Sequence, residues 1–146
     1  MKEISLENFG DALSSFASSA AGVQNGIAHA LAKEIQERAK GKIGEYQPAS
    51  HGFDAWAPLA QSTMDQRVSA GYPANNPLLR SGELRESIDI RVDGNAAIIG
   101  SPLDISLYQE VGTETIPPRP YLGPAAEEVM DSAQEIIIPI ITSALR

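Results

Sequence analysis

The sequence predicts an α+β domain: N-terminal helices packed on a small antiparallel β-sheet, with a C-terminal helix. Three observations predict it. Ile27, Leu31, Ile35, Ala39 and Ile43 recur every four residues, which is the apolar stripe of a helix. Ile88, Ile90 and Val92 alternate with Ser87, Asp89 and Arg91, and Asp93-Gly94-Asn95 then leads into the apolar run 96–100, the pattern of a hairpin. After Pro124 an apolar face of Val129, Ala133, Ile136, Ile137, Ile140 and Ala144 returns to helical spacing. The chain divides as 1–44 helical, 45–77 a long loop, 78–123 a β-rich core and 124–146 the C-terminal helix, all within one domain covering 1–146.

The first 22 residues carry Leu6, Phe9, Leu13 and Phe16 at spacings of three and four, with Ser5 as the cap. A short amphipathic helix follows from that, and Ser14, Ser15, Ser18 and Ser19 weaken its end. Core packing is the simpler account of Phe9 and Phe16, ahead of a partner-binding face. The strongest helix runs over 23–43, with Lys33, Glu34, Glu37, Arg38, Lys40 and Lys42 on its polar side and Gly41 or Gly44 ending it. A strict four-residue repeat drifts around a helix, so the small Ala28, Ala32 and Ala39 let it cross the sheet obliquely.

Residues 45–76 are rich in Gly, Pro, Ser and Asn and carry a helical turn around 61–68. Trp56, the single tryptophan, anchors this loop to the core, with an intersubunit contact as the alternative. The strand of 84–92 and its hairpin follow. Leu107 and Val111, with Tyr108 beside them, predict a short helix ending at Gly112. Pro117, Pro118 and Pro120 then fix a stiff extended segment. Two strands alone are marginal, so a further strand is expected, from 113–121 or from a neighbouring subunit. Pro139 removes a bond to the carbonyl of Glu135, which predicts a kink or break over 135–138.

Composition narrows the function. There is no cysteine, which excludes disulfide scaffolds, thiolate zinc sites and cysteine nucleophiles. A net charge of −8 opposes any grip on phosphates through displaced counterions. No basic segment followed by an apolar run opens the sequence and no apolar stretch nears ~20 residues, so a soluble protein without an export signal is expected. His29 and His51 lie on different elements with no further ligands at metal spacing. Neither a nucleophile elbow, a Walker loop nor a dinucleotide fingerprint occurs. Glu83, Glu86 and Asp89, flanked by Arg85 and Arg91, read as a solvated, charge-paired face and not as a general acid and base. No catalytic, cofactor-binding or metal-binding residue is assigned.

The order Trp56-Ala57-Pro58-Leu59, then 79–88, Ile99-Gly100-Ser101, 108–113 and 116–123 resembles the tail-completion or virion-morphogenesis proteins of tailed bacteriophages. The Mu-like and siphophage branches are the most similar in pattern. The motifs cover 56–123, while both ends of the chain match the family only in type. The chain departs from that pattern at Glu110, where family members commonly carry an aromatic or histidine-rich turn.

The resemblance implies a structural protein of the virion neck, assembled in the host cytoplasm. It would form a homo-oligomeric ring, usually a hexamer, at the head-to-tail interface, where DNA passes through the lumen without specific binding. The partners it implies are tail-tube or terminator proteins on one side and head-completion or connector proteins on the other. A minor tail or head-completion role is the nearest alternative, with a small nucleic-acid-binding or enzymatic domain behind it. Trp56, Tyr108, Pro117, Pro118, Arg119, Tyr121 and Leu122 are the expected interface residues. Arg119, set between two prolines, is expected to pair with an acidic residue, within the subunit or across an interface.

Overall fold

The computed structural model describes residues 6–145, with side chains at all of these except 6–9, 12 and 16. The elements follow in the order α1 (Leu6–Lys42), α2 (Gln61–Ser69), α3 (Glu83–Ser87), β1 (Asp89–Asp93), β2 (Ala96–Gly100), α4 (Asp104–Val111), α5 (Leu122–Asp131) and α6 (Ala133–Ala144). The α+β class holds, with more helix and less sheet than expected.

The two predicted N-terminal helices are one continuous helix of 37 residues. Serine and glycine weaken a helix by about 0.5–1 kcal/mol each but remove no backbone donor, so nothing in 14–22 forces a break. The cap at Ser5 lies outside the described residues, as do the side chains of Leu6, Phe9 and Phe16. Leu13 is exposed. Further along, the row that faces the core is Ala28, Ala32, Gln36, Ala39 and Ile43, one residue off the predicted stripe at its first three positions. Gln36 is therefore buried, and its amide Nε2 donates to the carbonyl of Ile88 at 2.8 Å. At the end of the helix Gly44 takes φ +106° and its N–H donates to Pro77 O at 2.8 Å, a conformation that other residues adopt only under strain.

The predicted strand 84–92 splits. Leu84 and Ile88 are four apart and both buried, so residues 83–87 coil into a helical turn on the core, and the strand begins only at Asp89. From there the alternation works as read, with Ile90 and Val92 half-buried between exposed Asp89 and Arg91. β1 and β2 pair antiparallel from Asp89↔Gly100 to Asp93↔Ala96, across a two-residue loop in which Gly94 takes φ +61°.

Among the described residues the sheet has these two strands alone. Segment 113–121 forms no ladder, because three of its residues are prolines without an N–H. The hairpin instead lies on α1, where the Gln36 bond holds its root and Asn25 Nδ2 donates to Gly94 O at 3.0 Å at its tip.

The break in the C-terminal helix falls at Ser132, upstream of the expected 135–138. Ser132 has φ −112° and ψ 16°, so the chain is re-aimed before Pro139 is reached, and the proline sits inside α6 at the loss of one ladder bond. α5 is tied to α1 by Lys42 Nζ, 2.5 Å from Glu128 Oε1, and by Arg38 on the other carboxylate oxygen at 3.9 Å.

The core is Ala39, Ile43, Trp56, Leu78, Leu84, Ile88, Tyr121 and Ala125. Ile88 is 1% exposed at the point where α1, α3 and the hairpin meet. Ile88→Ala should cost about 2–5 kcal/mol, read as a lower midpoint in urea; a loss under about 1 kcal/mol would show that this junction is not the packed centre.

Candidate functional site

The proline segment can donate almost no backbone hydrogen bonds, so side chains must fix it in place. Arg119 is 4% exposed. Its Nε donates to Ala57 O and its Nη2 to Pro58 O, both at 2.9 Å. In return Trp56 Nε1 donates to Pro120 O at 2.9 Å. The loop and the proline segment are thus cross-tied in both directions. Arg119 finds two consecutive carbonyls where an acidic partner was expected, which its planar, fixed fork of donors can serve at once. Burial lowers its pKa from the ordinary arginine value, and the Tyr46 hydroxyl partly offsets this.

Glu110 completes the clamp. Its carboxylate accepts from the N–H groups of Tyr121 (2.8 Å), Leu122 (3.0 Å) and Gly123 (2.7 Å) at the start of α5. No side chain of the cap residue itself serves that end, so a negative charge from α4 meets the positive pole of α5. Gly123 is needed for the close approach: a Cβ there would lie 2.6 Å from Phe53 Cζ. The Tyr121 hydroxyl pairs with the Ser106 hydroxyl beneath α4. Burial raises the Tyr121 pKa, the Ser106 bond opposes that, and the Glu110 charge adds to it.

α4 consequently turns its polar residues inward. Ser106 is buried, and Gln109 O accepts from Arg119 N. Leu107 and Val111, the pair that predicted the helix, are 60% and 63% exposed, with Ile105 and Tyr108 also outward. At the C-terminal end of this face lie the exposed Pro117 and Pro118, the latter packed so close that a Cβ on Gly112 would meet its ring at 2.9 Å. Of the expected interface residues, then, Tyr108, Pro117 and Pro118 are at the surface. Trp56, Arg119 and Tyr121 are inside the subunit and Leu122 is half-buried, all four holding the clamp together. A second uncovered apolar face is formed by Ile138, Ile141 and Leu145 of the α6 region.

Between α2 and α4 opens a cleft of about 550 Å³, lined by Arg67, Leu78, Arg80, Leu84, Ile105 and Gln109 among others. Arg67 is buried, with Nη1 on Asn76 O at 2.5 Å and its Nε without a partner among the described residues. Gln109 Oε1 is likewise buried and unpaired. Burial first and Arg80 second lower the Arg67 pKa, the Tyr46 hydroxyl opposes this, and Arg119 adds a smaller lowering. Arg80 lies over the Tyr72 ring at 5.4 Å. Sequence reading missed this cleft, because Arg67 and Gln109 stand 42 residues apart with no motif joining them.

The polar groups elsewhere are structural. Ser50 Oγ lies 2.5 Å from His51 Nδ1, and His51 Nε2 lies 2.6 Å from Asp131 Oδ2, which ties the loop to the end of α5. Asp131 is exposed, and the adjacent cavity is about 90 Å³, well below the several hundred that ligand clefts enclose. His29 and Glu83 are exposed and separate from this small cavity, and Glu83 lines the cleft between α2 and α4. Among the described residues no group of acidic and histidine side chains is placed to hold a metal ion, and no helix is long and apolar enough to cross a membrane.

Comparison with family models matches residues 4–145 to the phage virion morphogenesis family. Comparison with curated proteins and with solved structures finds no match.

Two outcomes follow from the clamp. Glu110→Ala should lower stability by about 2–3 kcal/mol and Glu110→Gln by less, since an amide oxygen accepts without the charge; equal, negligible losses in urea unfolding would contradict the capping role. Because the folded pKa of Tyr121 is raised, its contribution is fully present below the free tyrosine value and is lost as pH rises through the folded one. The melting temperature should therefore fall in alkali, and Tyr121→Phe should flatten that fall.

Proposed function

We propose, because the chain belongs to the phage virion morphogenesis family and is on that ground a structural virion protein, that it completes the tail at the head-to-tail interface as a closed ring of copies. The observation that carries the reading is the family match over nearly the whole chain, joined to an α4 whose apolar side faces outward. Exposed apolar faces of this kind mark sites of association. A ring requires heterologous contacts, in which one patch meets a different patch on the next copy. The outer face of α4, continued by Pro117 and Pro118, is one such patch, and the outer face of α6 is another. Six copies is the number that the resemblance implies.

The clamp gives those patches a fixed shape. Trp56, Arg119 and Glu110 hold the loop, the proline segment and α4 in one arrangement within the subunit, so little ordering remains to be done on assembly. The net charge of −8 suits a channel that DNA crosses without sticking.

The test is the mass of the purified protein, alone and with isolated tails. A ring-sized species is expected in one or both conditions. Replacing Leu107 and Val111 together by Asp should abolish it while the melting temperature stays near that of the unmutated protein, since both sites are exposed. An unmutated chain that remains monomeric and ignores both tails and heads would overturn the reading.

A further inference from the structure

We propose that the cleft between α2 and α4 is a socket for a second copy of this chain, and that what enters it is an apolar segment carrying a carboxylate. This rests on the ring reading above and names the acceptor side of the contact. Arg67, 8% exposed, is a buried cation with no carboxylate within ion-pair distance among the described residues, and neither the exposed Arg80 nor the buried Arg119 has one. A buried guanidinium with an open donor and no ion pair is costly, and in a chain with 19 acidic against 11 basic residues the isolation of Arg67, with the exposed Arg80 beside it in the cleft, marks a place kept for an outside anion.

The ligand's chemistry can be read further. Arg67 commits Nη1 to Asn76 O and leaves its Nε donor open, while Gln109 offers an unpaired oxygen acceptor. A bare anion satisfies the first and not the second. A peptide segment satisfies both, with a side-chain carboxylate for the guanidinium and an N–H for the amide oxygen. Leu78, Leu84, Leu103 and Ile105 make part of the wall apolar, beside the polar Gln66, Ser81 and Glu83, and that apolar part suits a protein segment better than a hydrated phosphate. Leu78, held at φ +62°, shows that the wall is kept in its shape against backbone strain.

The identity of the partner follows from position and charge. Ile105 lines the cleft and also belongs to the exposed face of α4, so the socket opens directly onto the surface assigned to ring contacts. Neighbouring copies, each at −8, repel one another except where an unneutralised basic site receives an acidic one.

Gln109→Glu tests this, because it adds a carboxylate to the socket with little change of shape. Sedimentation velocity of the full chain, alone and with tails, should show association weakened by about 30-fold or more, with the melting temperature unchanged or higher. Arg80→Gln, at an exposed residue, should weaken it less and reduce its salt dependence. If Gln109→Glu fails to fold, Arg80→Gln decides. Rings formed equally well by both variants would overturn the socket and leave the ring reading standing. Loss of tail attachment with self-association unchanged would assign the socket to a tail protein and overturn the second-copy proposal. No assembly of the unmutated chain would instead overturn the ring.

Discussion

A segment with three prolines among its five residues from Ile116 cannot be held by a sheet, and the fold depends on what replaces the missing ladder. Two charged side chains and one indole do so. Arg119 donates to the carbonyls of residues 57 and 58, Trp56 donates to that of Pro120, and Glu110 gathers three N–H groups at the start of α5. Each bond spans elements distant in sequence, so the long loop, α4 and α5 acquire one relative placement. The inward demand on α4 has a second effect. With the side chains of Ser106 and Glu110 committed to the clamp and the side-chain oxygen of Gln109 buried in the cleft, its apolar residues are turned to the surface.

Much of this was legible in the sequence, and the failures are physical in origin. The long helix, the hairpin with its alternation from Ile90 onward, the helix ending at Gly112 and the anchoring of the loop by Trp56 follow from local period and turn chemistry. Residues 83–87 were misread because Leu84 and Ile88 satisfy a helical spacing as well as the start of a strand alternation, and burial decided for the helix. The buried stripe of α1 shifts by one residue because Gln36 is needed at the core to meet the Ile88 carbonyl, a tertiary demand that hydropathy does not record.

The functional residues divide in the same way. Arg119 was conspicuous from its flanking prolines, yet its partners are carbonyls, which carry no sequence signal at all. Glu110 stood out only as a departure from a family pattern, and its three donors explain it. The Arg67 cleft had no local signal, since its parts come from α2, the approach to α3 and α4. Family membership, in contrast, was readable from the order of short motifs over 56–123, and the family match extends it to 4–145.

The central claim is that this chain works as a ring whose contacts are the outer face of α4 and the cleft beside it. Electron cryomicroscopy of intact tails carrying the protein tests it most directly. The account predicts a closed ring at the head-proximal end, with Leu107 and Val111 covered by the adjacent copy and a carboxylate of that copy at Arg67. Density showing single copies, or a ring in which the α4 face stays open to solvent, would contradict it.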